Sequence, residues 1–490
     1  MGRVALVGAG PGDPELLTVR AERLVRRADV VVADALVDRR VLALASAGAR
    51  VLDVGKRPGQ PFSQPAINQL LVDLAAKHEL VVRLKGGDPF LFGRGGEELE
   101  ALLGAGVPVE VVPGVPSPTA AGALAGVPVT HRGLADGFLV ITGRRHADAP
   151  LDYDWAALVA SKLTIVVLMG AASRGAIAEG LLRAGAAPST PVAVVTAASW
   201  VNESVHFARL DELAELPVRS PATIIIGPVA TPERAWRSRT PLAGLRVLVT
   251  RPQAEEDTLV EGLVELGARV LWHPAIELAD PSDRGAALEA ALRQVETYDW
   301  LVVTSKNAVG RVLARIGDLR RLAHTKLAAI GPATAEALRA HLLGVDLVPE
   351  AWVGEGLAAS FPKGTGRVLL ARARVARDVV PEALRAKGWR VDVVEAYETR
   401  VAARTIDPEL ASLVDLVVFT APSTVEGFAT QFPDVVPRHC AAIGPVTEAT
   451  LRRRGWPIDV VARRFDATGL LEAIRAAVLN GDLGVGEHRL

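Results

Sequence analysis

The chain has 490 residues, a formal net charge of −1, 50% hydrophobic residues and a single cysteine, Cys440. This length has room for roughly three or four domains with buried cores. The small net charge gives no overall field for nucleic acid, and one cysteine excludes internal disulfides and thiolate metal clusters. No run of about 18 apolar residues is free of charges, and the N-terminus lacks signal-peptide regions. We therefore expect a cytoplasmic protein without membrane spans.

The first predicted element is an apolar strand that ends in a glycine-rich turn, with the sequence VALVG at 4–8 followed by AGPGD at 9–13. The order resembles a dinucleotide-binding turn, but Asp13 stands where the third glycine of G-x-G-x-x-G belongs, and Pro11 stiffens the loop. We therefore predict no nicotinamide site. Asp13 is suited to capping a helix that begins near Pro14.

Two further apolar strands end in charged residues. The strand at 30–33 leads to Asp34, and the strand at 51–54 leads to Lys56 and Arg57. Because ligands bind at the carboxyl ends of strands in open α/β sheets, these groups can face one cleft. Each also has an ordinary alternative, since an aspartate in a turn often caps a helix and surface cations are often solvated.

The most distinctive stretch is RLKGGDPFLFGRGGEE at 83–98, between a predicted strand at 80–82 and a helix over 97–103. Packing alone does not require so many glycines and charges in one segment. Glycines at a strand-to-helix turn let a small molecule lie against the backbone, and Asp88 can accept hydrogen bonds from hydroxyls or an amine. We predict a binding loop, the alternative being a glycine-rich turn without a ligand.

Residues 1 to about 230 resemble the uroporphyrinogen-III C-methyltransferases, a family of tetrapyrrole methylases that use S-adenosylmethionine. The resemblance rests on motifs that recur in order at 8–14, 54–57, 83–98, 113–115, 129–132, 141–143, 168–170 and 225–227. It implies two α/β lobes with the methyl donor between them, within a homodimer formed through this half. It also implies a proton acceptor at Asp34 and a proton donor at Lys56, because the methylated substrate must shed a proton.

The same resemblance implies which residues contact the ligands. The donor site would be lined by Pro11, Gly86, Gly87, Asp88, Leu91, Pro116, Ser117, Met169 and Ala198. Pro116 stands where many relatives have Thr or Ser, and Ala198 where Gly is common, so these two contacts are expected from the backbone. The substrate carboxylates would contact four basic residues, Arg83, Arg94, His131 and Arg132. Arginine suits this role because its guanidinium can bind a carboxylate through two hydrogen bonds.

Residues 231–243 hold two prolines and three arginines without periodicity and are typical of a linker. Beyond them, similar segments recur at a nearly constant offset, at 244–251 and 366–372, 301–305 and 416–420, and 328–334 and 441–447. The offset is too long for a solenoid, so we predict a pair of similar domains. Short apolar strands alternate with helices in each, which indicates parallel sheets.

Residues 245 to about 478 resemble the uroporphyrinogen-III synthases through motifs at 246–252, 394–399, 419–423 and 442–447. The resemblance implies two lobes, 244–276 plus 400–478 and 277–399, joined by two strands. It also implies cyclisation of linear hydroxymethylbilane without a cofactor, with Tyr397 assisting departure of the hydroxyl. Binding positions match Thr334, Ser423 and Thr447, for which helix capping is the ordinary alternative.

The sequence thus predicts an α/β protein with a methylase at 1–230, a linker at 231–243, a synthase at 244–478 and a tail at 479–490. We expect a bifunctional enzyme that closes uroporphyrinogen III and methylates it at C2 and C7 to precorrin-2, with no metal, NAD, nucleic acid or membrane. Two alternatives stay open. One is a methylase of another precorrin, and the other is a second half that binds tetrapyrroles without catalysis.

Overall fold

The computed structural model describes residues 2–46, 48–55, 62–144, 149–234, 239–252 and 257–484. It confirms the α/β class, with four five-stranded sheets. The first two sheets belong to the first half of the chain (1–230) and the other two to the second half (244–478). In the described ranges, no helix combines the length and apolar character needed to cross a membrane.

The first sheet is parallel, in the order β3-β2-β4-β1-β5. Its strands are β1 Arg3–Gly8, β2 Val30–Ala33, β3 Arg50–Asp53, β4 Leu80–Lys85 and β5 Val109–Val112. Its helices are α1 Val19–Arg27, α2 Arg39–Leu42, α3 Gln64–Ala75, α4 Gly95–Gly104 and α5 Ser117–Ala125. The central strands are largely apolar on both faces because helices cover a parallel sheet on both sides, and Arg83 and Lys85 of β4 are the buried exceptions. The carboxyl ends of β2, β4 and β1 therefore meet at one edge.

The second sheet is mixed, in the order β6-β7-β10-β8-β9. Its strands are β6 Phe138–Thr142, β7 Thr164–Leu168, β8 Pro191–Thr196, β9 Ser204–Arg209 and β10 Ala222–Ile226, and its helices are α6 Trp155–Ala160 and α7 Arg174–Arg183. Strands β6 and β7 pair in parallel, whereas β10 runs antiparallel to both of its neighbours. The turn between β8 and β9, residues 197–203, projects from this sheet.

The third sheet is parallel, in the order β12-β11-β18-β19-β20. Its strands are β11 Arg246–Val249, β12 Arg269–Trp272, β18 Leu416–Phe419, β19 Cys440–Ala442 and β20 Val460–Val461. Its helices are α8 Thr258–Glu265, α14 Pro408–Ser412, α15 Pro422–Gln431, α16 Pro445–Arg453 and α17 Ala467–Asn480. The sheet therefore combines two pieces of chain separated by more than a hundred residues.

The fourth sheet, in the order β13-β17-β16-β14-β15, is formed by the chain between those two pieces. Its strands are β13 Ile276–Ala279, β14 Trp300–Val303, β15 Lys326–Ala329, β16 Arg367–Ala373 and β17 Arg390–Val401; its helices are α9 Ala286–Leu292, α10 Lys306–Ile316, α11 Pro332–Arg339, α12 Gly354–Ser360 and α13 Val379–Ala386. The predicted parallel arrangement holds except at β13, which pairs antiparallel with the end of β17. These two strands carry the chain out of the third sheet and back to it, so they run in opposite directions.

Candidate functional site

Three glycine turns meet at the carboxyl edge of the first sheet. The N–H of Gly87 donates to the carbonyl oxygen of Gly10 at 2.7 Å, and the N–H of Gly10 donates to the carbonyl oxygen of Gly87 at 3.2 Å. A Cβ added to Gly114 would lie 2.2 Å from the Gly87 carbonyl oxygen, and one added to Gly8 would lie 2.5 Å from Gly114 Cα. The turns therefore pack backbone against backbone, an approach that only glycine permits.

The carboxylate of Asp88 stabilises the place where these three glycine turns meet, which we call the glycine junction. Its Oδ2 accepts the N–H of Gly114 at 3.1 Å, and its Oδ1 accepts the N–H of Phe90 at 2.8 Å. The N–H of Leu91 donates to the main-chain oxygen of Asp88 at 3.3 Å and closes the turn. Because each carboxylate oxygen keeps a further lone pair, these bonds are compatible with a ligand hydroxyl or amine.

The residues predicted to line a donor site come together here from separate turns. A Cβ on Gly87 would lie 3.4 Å from Ser117 Oγ and 4.0 Å from Pro116 Cα. A Cβ on Gly86 would lie 3.4 Å from the Cβ of Leu36. Pro116 is the N-cap of α5 and makes no side-chain capping bond. Glycine at 86 and 87 thus leaves the backbone open on the side that faces these neighbours.

The turns that carry Pro11 and Ala198 contact each other, although they belong to different sheets of the first half. The indole N–H of Trp200 donates to the main-chain oxygen of Pro11 at 3.0 Å. Ala197 and Ser199, on either side of Ala198, have φ angles of 48° and 69°. The turn between β8 and β9 therefore lies against the glycine turn that follows β1. The sequence indicated the turn at 9–13, but not the turn at 197–203 or the contact between them.

Four other predicted residues lie at the surface. Met169 follows β7 with a φ of 56° and is 47% exposed. Arg94 forms two hydrogen bonds with the carboxylate of Glu97, at 2.7 and 2.6 Å. His131 and Arg132 are exposed, and the His131 Nδ1 lies 2.9 Å from the Arg132 main-chain oxygen. Their contact with a donor or substrate stays a prediction.

Asp34 lies at the carboxyl end of β2 and belongs to a cluster of two acids and two bases. Arg83 and Lys85 are alternate residues of the neighbouring strand β4, and each is 1% exposed. Arg83 bonds to Asp34 through Nη2 and to Glu98 through Nε at 3.0 Å. Lys85 Nζ lies 3.0 Å from Glu98 Oε1 and 3.6 Å from Asp34 Oδ2. Glu98 is 0% exposed, whereas 30% of the Asp34 side chain reaches solvent.

Arg83, which was predicted to bind a substrate carboxylate, is buried. Its guanidinium bonds to Asp34 and Glu98, and also to the main-chain oxygens of Val32 and Leu84 at 3.3 and 3.4 Å. Contact of Arg83 with a substrate carboxylate stays a prediction. Sequence reasoning missed the pairing with Glu98, although two cations on a buried strand require buried acidic partners.

Lys56, the predicted proton donor, lies outside the described residues. Among the residues that are described, no group of three or more His, Cys, Asp or Glu side chains is arranged to hold a metal ion.

Tyr397 is the residue of the second half that was predicted to assist departure of the substrate hydroxyl. It lies on β17, is 8% exposed, and its hydroxyl is 3.2 Å from Ser305 Oγ, with either atom able to donate. Ser305 also caps α10, because its Oγ accepts the N–H of Ala308 at 3.1 Å. The sequence analysis included Ser305 only in the repeated segment 301–305, and the structure identifies it as a partner of Tyr397.

The other three residues predicted for the synthase site lie in the first turns of α11, α15 and α16. Thr334 and Thr447 are 4% and 3% exposed, whereas Ser423 is partly exposed. The N–H groups of these helix ends favour carboxylates. Burial gives both threonines a packing role, and contact of any of the three with a substrate stays a prediction.

Two family models match the chain, "Tetrapyrrole (Corrin/Porphyrin) Methylases" over 3–214 and "Uroporphyrinogen-III synthase HemD" over 257–472. The "Porphyrin biosynthesis protein HemD" of Ruminiclostridium josui is 37% identical over 452 residues, which cover 89% of this chain and 90% of that protein. The uroporphyrinogen-III C-methyltransferase of Paracoccus denitrificans (strain Pd 1222) is 48% identical over 235 residues, 47% of this chain and 82% of that protein.

A solved structure, the uroporphyrin-III C-methyl transferase from Thermus thermophilus complexed with S-adenosyl homocysteine, is 50% identical, with a TM-score of 0.42. The match covers 46% of this chain and 98% of that one.

Proposed function

Because the chain belongs to the tetrapyrrole methylases through its first half and to the uroporphyrinogen-III synthases through its second, we propose that it makes precorrin-2 in two stages. The second half closes hydroxymethylbilane to uroporphyrinogen III. The first half then methylates this product at C2 and C7 with S-adenosylmethionine. The observation that carries the proposal is the glycine junction beside Asp34, on a chain whose similarity to a porphyrin biosynthesis protein extends over 89% of its length.

We assign the methylase to 1–230, the linker to 231–243, the synthase to 244–478 and the tail to 479–490. The sheets support this division, since no described strand pair joins the first half to the second. Within the synthase, the third sheet takes strands from 244–276 and 400–478, and the fourth sheet takes strands from 276–401.

The glycine junction suits S-adenosylmethionine, which supplies an electrophilic methyl group on sulfonium when bound. Gly86 and Gly87 offer backbone N–H and C=O groups without side chains in the way. Asp88 is held by two backbone N–H groups and retains lone pairs for an amine or hydroxyl. The turn with Ala197 and Ser199 lies against the turn at 10–13. Rigid surroundings of this kind favour a displacement, which depends mostly on alignment.

Asp34 is the group we assign to accept the proton that the methylated ring system loses. Its Oδ1 is held by Arg83 and its Oδ2 lies 3.6 Å from Lys85 Nζ, while part of the side chain stays accessible. The two cations fix the position of the carboxylate without covering it. Gly86, in the turn assigned to the methyl donor, lies next to Leu36, which is two residues beyond Asp34. The turn with the proton acceptor and the turn for the methyl donor are therefore neighbours.

In the synthase half, Tyr397 donates a proton to the departing hydroxyl of hydroxymethylbilane, which leaves as water. When the Ser305 hydroxyl is the donor in the 3.2 Å contact, the phenol O–H is free to point at the substrate. The remaining task is to fold the linear substrate and exclude water from the cation that forms.

Incubation of the purified full chain with hydroxymethylbilane, with and without S-adenosylmethionine, tests the proposal. Without the donor, we expect the type III isomer of uroporphyrinogen. With the donor, we expect a product that carries two added methyl groups, at C2 and C7 by NMR. The type I isomer alone would indicate a second half without catalysis, and methylation at other positions would indicate a methylase of another precorrin.

We predict that Tyr397→Phe lowers the rate of type III formation by roughly ten- to a hundredfold, because general acid catalysis is lost while the packing of the ring is kept. Ser305→Ala should have a smaller effect of the same kind. The matched control is Tyr298→Phe, since Tyr298 bonds to Asp392 rather than to Ser305. The measurement is the ratio of type III to type I product over time. A type III rate for Tyr397→Phe equal to that of the wild type would exclude the proton-donor role.

We predict that Glu98→Gln lowers the kcat of methylation about tenfold, because the amide weakens the hold of Arg83 and Lys85 and so displaces Asp34. The KM for S-adenosylmethionine should stay near the wild-type value, since Glu98 does not belong to the glycine junction. Glu100→Gln, on the exposed side of the same helix, is the control. An unchanged kcat for Glu98→Gln, or an equal loss for Glu100→Gln, would contradict the role of the cluster.

A further inference from the structure

The turn at 197–203 belongs to the second sheet but inserts a side chain into the second half of the chain. Val201 is 7% exposed and is part of the core cluster that contains Leu248 and Leu271 of the third sheet, together with Phe419 and Phe428. A valine of the methylase half is therefore buried among side chains of the synthase half. Val201 is therefore part of a hydrophobic core, and the contact is more than one between two domain surfaces.

An ion pair lies next to this apolar contact. Arg269 of β12 bonds through Nη2 to Glu203 Oε1 at 3.0 Å, and through Nη1 to the main-chain oxygen of Glu203. The side chains are 22% and 1% exposed, respectively. Loss of the arginine would leave a carboxylate with little access to water, which is a costly state. Arg269 therefore determines where Glu203 lies.

Glu203 connects Arg269 to the glycine turn at 10–13, which follows β1. Its Oε2 accepts the N–H of Ser199 at 2.6 Å, and Ser199 Oγ accepts the N–H of Asp13 at 3.0 Å. Trp200 donates to Pro11 and packs so closely that a Cβ on Gly12 would lie 2.2 Å from its Nε1. A continuous series of contacts thus runs from a strand of the synthase half to the glycine turn after β1.

The backbone of the turn requires such support. Ala197 and Ser199 have φ angles of 48° and 69°, in the left-handed region that non-glycine residues adopt at a cost of about 1 to 3 kcal/mol each. Strain of this kind persists where the surroundings determine the conformation. Ala198 lies between these two residues, at a position predicted to contact the methyl donor.

We propose that Arg269, a residue of the synthase half, is a positioning residue for methyl transfer. It acts through Glu203 and Ser199 to hold the turn at 197–203 against the donor-binding turn at 10–13. The proposal rests on the proposed function, since it assumes that the methyl donor binds at the glycine junction. It explains why the two halves share a core contact at this turn, and it makes donor affinity depend on the presence of the synthase half.

The test is calorimetric titration of S-adenosylhomocysteine into full-length Arg269→Ala and wild-type protein. We expect the variant to bind about tenfold more weakly, a typical coupling between sites, with a matching rise in the KM for S-adenosylmethionine and little change in kcat. Glu203→Gln should give a similar loss, and the double variant should be no weaker than the single ones. Type III synthesis should be unchanged in all three. The control is Arg293→Ala, which removes an exposed arginine of the same half.

Three outcomes decide the matter. Wild-type affinity in Arg269→Ala overturns the positioning role and leaves the proposed function intact. Loss of type III synthesis together with donor binding overturns it as well, because the arginine would then serve only to stabilise the fold. No binding of S-adenosylhomocysteine by the wild type refutes the methylase assignment itself, and the inference with it.

Discussion

We expect Asp34→Asn to lower the rate of methylation by roughly a hundredfold to ten-thousandfold while leaving the affinity for S-adenosylhomocysteine near its wild-type value. The amide keeps the shape of the carboxylate but does not accept the proton that the substrate must lose. Arg83 and Lys85 surround the same position, so the variant also loses an ion pair, and the folded state should be less stable. The measurements are single-turnover methylation of uroporphyrinogen III and calorimetric binding of S-adenosylhomocysteine.

Asp73→Asn is the matched control for this variant. Asp73 lies on α3 in the same half and bonds to Gln69 at the surface, away from the cluster around Asp34. It should leave turnover and binding unchanged. Near-normal turnover in Asp34→Asn would mean that another group accepts the proton. Loss of donor binding together with turnover would mean that the carboxylate supports the fold of the site and not the reaction.

The sequence predicted those parts of the molecule that depend on local pattern. The apolar runs of the first sheet specify parallel strands, and the glycines at 86–87 mark the strand-to-helix turn that follows β4. The contact of Gly87 with Gly10 was not predicted. The antiparallel pairing of β13 with β17 was not predicted, because it depends on the directions in which two distant segments leave the third sheet. Periodicity does not report such directions.

Arg83 shows what residue type alone does not predict. An arginine next to a glycine-rich loop resembles an anion-binding group, and only the position of Glu98 on α4 shows that it is neutralised in the interior. The contact of Arg269 with Glu203 is still harder to foresee, since 66 residues separate the partners and they belong to different sheets. Tertiary contacts of this kind follow from the packing of whole elements.

Gly114→Ala tests the glycine junction most directly. We expect it to abolish donor binding and to lower the free energy of unfolding by about 1 to 3 kcal/mol, because a methyl group would lie 2.2 Å from the Gly87 carbonyl oxygen and 2.8 Å from Gly8 Cα. Both neighbours are backbone atoms, which cannot move aside as a side chain can. The turn that carries Gly114 must therefore move away from the turns at 8–13 and 86–88. Chemical denaturation and calorimetric titration of S-adenosylhomocysteine measure the two effects.

Gly104→Ala provides the opposite case within the same lobe. Gly104 is the last residue of α4, and a Cβ there would have no heavy atom within 4 Å. Alanine is the better helix former, so this variant should be as stable as the wild type or more stable by up to about 1 kcal/mol, with unchanged donor affinity. The two substitutions add the same methyl group and differ only in what it meets. Equal behaviour of the two variants would show that the close approach of backbones at Gly114 does not shape the donor site.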